Sequence, residues 1–291
     1  MPDSSASSRQ RNMWWRTLQD KLATGAAISA AVLVLVPLIA IFSYLVIKGI
    51  GSLSWSFLIH EPKPVGELGG GIGNAITGSM LILGIASVIG IPLGIGTAVY
   101  LSEFGKNKIG NVIRFTADVL NGVPSIVMGI AVYGVVVIHQ KHFSAFAGGL
   151  VLGIMMVPTI ARTTEEMLAL VPSTLREAAL GLGIPKWKTT ISVVLRTAMS
   201  GVITGVMLAF ARVAGETAPL LFTAFGNQYF NHNLNEPTAA LPLQIYVYAI
   251  SPSDEWHKLA WSGALVLIIL IVGTVSIVRA VAARGNMAGA N

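Results

Sequence analysis

Cysteine is absent from all 291 residues, which excludes disulfides, thiolate metal centres and thiol redox chemistry. Charge is scarce too: Asp, Glu, Lys and Arg make up 11% of the chain, whereas soluble domains hold about a quarter. A water-facing surface of ordinary extent cannot be built from so few. A phosphate-binding loop of the Gly-x-x-x-x-Gly-Lys type is also missing, because Gly105-Lys106 is followed by Asn107 and Tyr100 stands at the earlier glycine position. ATP therefore has no such seat in this chain. The run Gly69-Gly70-Gly71-Ile72-Gly73-Asn74 leads into an apolar helix instead of joining a strand to a helix, so it reads as a flexible entry and not as a dinucleotide site. His139 and His142 form the one close histidine pair, without a neighbouring carboxylate, and they are read as loop residues with no metal. His60-Glu61 lacks the second histidine of a zinc protease. These absences argue against an enzyme and against a cofactor held by this chain.

What is present is apolar: 54% hydrophobic residues and a mean hydropathy of +0.72. Six stretches, Leu22 to Ile47, Ala75 to Leu101, Phe115 to Ile138, Ala145 to Leu170, Thr197 to Ala224 and Leu259 to Val278, are uncharged or nearly so. Each can cross about 30 Å of hydrocarbon as a helix. The first is too long for a signal-peptide core of about 7–15 residues and is read as a retained span. None shows the two-residue alternation of barrel strands. The expected fold is all-α, a polytopic membrane protein with about six transmembrane helices.

The net charge of +6 is spread between the apolar runs and forms no basic tract, which argues against nucleic acid. Lys106, Lys108 and Arg114, then Arg176, Lys186, Lys188 and Arg196, join the two ends of the chain as the positive set of connections. The other set offers Lys63, Lys141 and Lys258, with Lys48 on a boundary. The positive-inside rule places both termini in the cytoplasm. Gly90/Gly94, Gly149/Gly153 and Gly201/Gly205 stand four apart and allow helices to approach closely within a bundle containing lipid-facing sides.

Six ionisable residues fall within the spans: Asp118, Arg162, Glu165, Glu166, Arg212 and Glu216. An arginine at mid-membrane costs about 2.5–3.5 kcal/mol, so it faces a bundle interior or a watery path. Arg212 stands near the middle of its run with Glu216 four residues on, and Arg162 precedes Glu165 and Glu166 by three and four. One reading is ion pairs that hold helices in register. The other is an anion path in which Arg212 and Arg162 offer guanidinium forks to a tetrahedral oxyanion. Glu216 could then accept a proton-bearing hydrogen bond that hydrogen phosphate can give and sulfate cannot. Pro158 and Pro219 suggest bends in both spans. Asp118 reads as a carboxylate near a helix start.

Between Val171 and Arg196 lies the longest basic connection. Thr174 and Glu177 have the spacing of a capping box, while Gly183 and Pro185 supply a stop and a restart. The expected helix is about two turns long, too short to stand alone, and Leu175, Ala178, Ala179 and Leu182 need a surface to pack on, either this protein's own helix ends or a soluble partner.

Glu177-Ala178-Ala179, Gly183, Val193 and Leu195 resemble the EAA loop of permeases from bacterial binding-protein-dependent ABC importers, with Arg196 where that pattern usually has proline. The stretches Gly122-Val123-Pro124-Ser125-Ile126-Val127, Gly215 to Ala224 and Leu241 to Tyr246 are similar to the PstA-type permeases of phosphate importers. The resemblance implies a type I ABC importer permease fold, with residues 75–283 as the transmembrane domain and 171–196 as its coupling loop. Residues 1–21 then form a cytoplasmic segment, 22–74 a first helix with an external linker, and 284–291 a cytoplasmic tail. It further implies a PstC-type permease as heterodimer partner, a PstB-type ATPase dimer that binds ATP and Mg, and a PstS-type phosphate-binding protein. Glu177, Ala178, Ala179 and Gly183 would dock the ATPase, and Arg212, Glu216, Arg162 and Glu165 would line the substrate path in a bacterial inner membrane. The stretch Gly226 to His257 is a candidate for meeting the binding protein.

Overall fold

The computed structural model describes residues 4–67 and 69–288. The end of the expected tail, 289–291, lies outside them. The chain divides after Lys48. Up to that point it is one helix, α1 (Ser4–Ile50), whose Trp15–Ile50 portion is long and apolar enough to cross a membrane. No break separates the expected cytoplasmic segment from the span.

Beyond it come α2 (Trp55–Ile59), α3 (Gly73–Glu103), α4 (Lys108–Gly122), α5 (Ser125–Gln140) and α6 (Ala145–Ala169). They are followed by α7 (Ser173–Gly181), α8 (Lys186–Ala214), α9 (Ala218–Leu221), α10 (Leu241–Ala249) and α11 (Asp254–Ala288). Among the described residues there is no strand, only an isolated bridge between Phe225 and Thr238. Side chains start several helices: Asn107 accepts from Gly110 N–H at 2.8 Å and Ser144 from Ala147 N–H at 3.1 Å, each satisfying a donor that the first turn leaves open. Five-residue-spaced π turns at Tyr133–Val137 and Thr190–Leu195 interrupt α5 and α8.

The centre of this unit is the seam of α3 with α6, flanked by α8. Ile82, Ala86, Leu152, Met156 and Ile160 are buried there. A Cβ added at Gly90 would lie 2.8 Å from Met156 Cβ, and one at Gly94 2.7 Å from Ile160 Cβ. Gly149 meets Ile85 in the same way, while Gly201 and Gly205 back onto Met167 and Thr163. All three glycine pairs thus stand at helix contacts, where small residues let backbones close up. At the opposite pole of the unit, α2, α10 and α11 gather round Phe57, Ile72 and Tyr248. The Tyr248 hydroxyl donates to Gly71 O at 2.9 Å. Burial pushes this phenol up to about 12, against a smaller lowering by Gln244, so it stays a donor at physiological pH.

The expected third span differs from a straight helix. Hydropathy runs on from Phe115 to Ile138, yet α4 and α5 meet at 105° across Val123-Pro124. Pro124 disfavours helical geometry at the residue before it and removes a backbone donor, and Val123 is accordingly extended. The pair still runs from one end of α3 to the other. Its start is held to the end of α3, where Arg114 donates to Gly105 O. Its end leads to Ser144, whose N–H bonds Thr223 O beside a loop that also receives Asn74 from the start of α3. With the bent pair taken as one, six helical segments among the described residues are long and apolar enough to cross a membrane.

Candidate functional site

Arg212 and Glu216 do not form the expected pair. Arg212 lies in the last turn of α8, not mid-span, and the helix ends at Ala214 with Gly215 as its cap. Glu216 is therefore off the helical face that would have brought the two together. Arg212 is exposed and Glu216 half-buried, and no hydrogen bond or ion pair joins either side chain to another among the described residues. The chain restarts at α9 with Pro219 in its first turn. Here the proline marks a new helix after a break, whereas α6 runs through Pro158 unbroken.

Arg162 and Glu165 do pair, at 3.3 Å, within a larger network. Arg162 Nε and Nη2 donate to both oxygens of Asp118 at 2.8 and 2.9 Å. Glu165 Oε1 accepts from Arg114 Nε at 2.7 Å, and Arg114 also donates to Leu101 O, Gly105 O and Asn111. Asp118 is thus the bidentate partner of an arginine 44 residues away, not a helix-start carboxylate. Arg114 and Asp118 stand four apart on α4, opposite Glu165 and Arg162 three apart on α6. That complementary order is visible in the sequence once the two helices are known to be neighbours. Glu166 remains exposed.

On the connection after α6, α7 begins at Ser173 with Pro172 as N-cap, and no side chain caps it. The capping box from Thr174 to Glu177 is not formed, because Pro172 starts the helix early and places Thr174 inside it. The far end is as expected. Gly183 has φ +79°, Gly183 N–H bonds Leu180 O at 2.9 Å and Ile184 N–H bonds Ala179 O at 3.2 Å, the paired closure that a left-handed residue permits. Ala179 packs inward, while Glu177, Ala178 and Gly183 are exposed. Leu180 near the end of α7, Leu182 just past it at 81% exposure, and Trp187 at the start of α8 are exposed apolar side chains. Arg176 anchors α7 from its inner side, donating to Leu168 O, Val171 O and Glu103.

Chemically, the molecule offers an unpaired guanidinium at a helix break, an ionic network between α4 and α6, and a short helix anchored through Arg176. Among the described residues no cluster of His, Asp and Glu could hold a metal ion.

Residues 90–285 match the family of binding-protein-dependent transport system inner membrane components. The chain is 43% identical over 266 residues to the phosphate transport system permease protein PstA of Yersinia pestis, covering 91% of this chain and 90% of that protein. It is 48% identical over 231 residues to PstA of Xylella fastidiosa strain 9a5c, covering 78% and 80%, and 36% identical over 275 residues to PstA 1 of Mycobacterium tuberculosis strain CDC 1551, covering 91% and 88%. A chain of the inward-facing MetNI methionine ABC transporter shares the fold, with a TM-score of 0.56 and 16% identity over 74% of this chain and 96% of that one. The chain therefore belongs to the binding-protein-dependent transport system inner membrane components, within the group whose curated members are named phosphate transport system permease protein PstA.

Proposed function

We propose that the chain forms half of the translocation path of an ATP-driven phosphate importer and couples that path to a cytoplasmic ATPase. The unpaired Arg212 carries the reading. A guanidinium with no carboxylate of its own, at the point where α8 breaks into Gly215-Glu216-Thr217, is available to an oxyanion. Glu216, four residues on, can accept a hydrogen bond from the protonated oxygen of hydrogen phosphate. Arg162 and Glu165 serve the path from the network below. The relatives' names supply phosphate, and another oxyanion is the alternative.

An importer permease works with a separate ATPase and a binding protein. In this reading they are a PstB-type dimer, which binds the ATP and Mg, and a PstS-type protein, with a PstC-type permease completing the path. Glu177, Ala178, Ala179 and Gly183 present α7 to the ATPase, and the exposed Leu180 and Leu182 give that partner apolar surface to bury. Both termini are cytoplasmic, with the transmembrane domain over 75–283 and the coupling loop at 171–196.

The test uses the assembled complex in liposomes with loaded phosphate-binding protein. Arg212→Ala should cut phosphate uptake by about tenfold or more while the complex stays assembled and binds ATP. Uptake at the wild-type rate would return Arg212 to a structural role, and indifference of the wild-type complex to phosphate would remove the substrate.

A further inference from the structure

We propose that Glu103 is a positioning residue through which α7 acts on the bent pair α4–α5. The proposal rests on the reading of α7 as the ATPase-facing helix. Glu103 ends α3, and its side chain is 8% exposed. Its carboxylate accepts from Arg176 Nε of α7 at 3.1 Å, and the guanidinium's Nη2 lies in ion-pair contact with the same oxygen at 3.1 Å. Its carbonyl accepts from Lys186 Nζ at 2.8 Å, and Lys186 also lies 4.4 Å from the centre of the Phe104 ring. Both ends of the docking segment therefore grip one residue.

The same helix end is gripped from the other side. Arg114 of α4 donates to Leu101 O at 2.9 Å and to Gly105 O at 3.0 Å, two residues before and two after Glu103. Through Glu165 and Arg162 the contacts continue to Asp118, one turn further along α4. Every link is charged or charge-assisted, and such bonds are strong and directional. Glu103, Lys106, Arg114, Glu165, Ser173 and Arg176 line one cavity of about 600 Å³. That space lets the ionic partners shift without unpacking the α3–α6 seam. A displacement of α7 is thus delivered to α4 by way of Glu103, whose burial leaves its carboxylate few other partners.

The experiment compares wild-type, Glu103→Ala and Glu103→Gln complexes in liposomes, reading ATPase content, stimulation of hydrolysis by loaded binding protein, and phosphate taken up per ATP. Glu103→Ala should retain the ATPase and lose uptake per ATP by about fivefold or more, with Glu103→Gln intermediate because it keeps the shape and an acceptor oxygen. An unchanged ratio in Glu103→Ala overturns the proposal. Loss of the ATPase from that complex also overturns it, by reducing Glu103 to an anchor. If Glu103→Ala does not assemble, Glu103→Gln decides: a fall of about threefold supports the relay, and an unchanged ratio overturns it. Gly183→Asp, beside the docking face, reports separately. An ATPase that stays attached and coupled there sinks the reading of α7 and with it the relay, whereas an unchanged Glu103 ratio with Gly183→Asp uncoupled sinks the relay alone.

Discussion

Arg162 spends both edges of its guanidinium on Asp118 and Glu165, yet it is 35% exposed and Asp118 52%. Solvent screening keeps such a pair modest, and Arg162→Ala should cost about 1 kcal/mol of stability. Arg114 is less exposed and satisfies two backbone carbonyls besides Glu165. Its removal leaves several acceptors without a donor, so Arg114→Ala should cost about 2–3 kcal/mol. Thermal unfolding of the detergent-solubilised complex checks the order, and a larger shift for Arg162→Ala would contradict it. At this scale the sequence told which charges fall within the apolar runs but not which of them are covered or whom they meet. The expectation of Arg-then-Glu pairs held within α6, where helical spacing is fixed by the backbone. It failed at Arg212 because Gly215 ends the helix one residue before Glu216. The partner of Asp118 comes from a distant helix, a contact that no local spacing encodes.

The elements were legible where long apolar runs coincide with uninterrupted helices, as in α3 and α6. They were less so where hydropathy continues across a change of direction. Val123-Pro124 sits in an unbroken apolar stretch, so its 105° bend has no hydropathy signal and is marked only by the proline. The bend is held by packing of α5 on α9: a Cβ at Gly129 would stand 2.6 Å from Pro219 Cα. Gly129→Ala pushes backbone against backbone and should destabilise by about 1–3 kcal/mol. Gly134, one turn on and facing open space, is the matched control, expected to tolerate alanine. Equal melting temperatures for the two variants would mean that α9 yields and does not brace the bend.

For the whole molecule, the even number of crossings rests on the bent pair traversing the membrane. Because the chain lacks cysteine, single cysteines can be read against a silent background. Asn235→Cys, in the long loop before α10, should react with an impermeant maleimide in right-side-out vesicles. Ser173→Cys and Arg284→Cys should react only after permeabilisation. Reaction of Arg284→Cys from outside would make α4–α5 re-entrant and the crossings odd.

The bend has a mechanical meaning as well. Two stiff arms fixed near a right angle form a bell crank: a push applied to one arm emerges from the other in a different direction. With α4 tied to the last turn of α3 and the elbow braced against Pro219, a sideways thrust at the base becomes a torque about Val123-Pro124. In the function proposed above, the far arm, α5, converts it into travel along another axis, so that a small stroke of the ATPase in one plane opens or shuts a passage in the next.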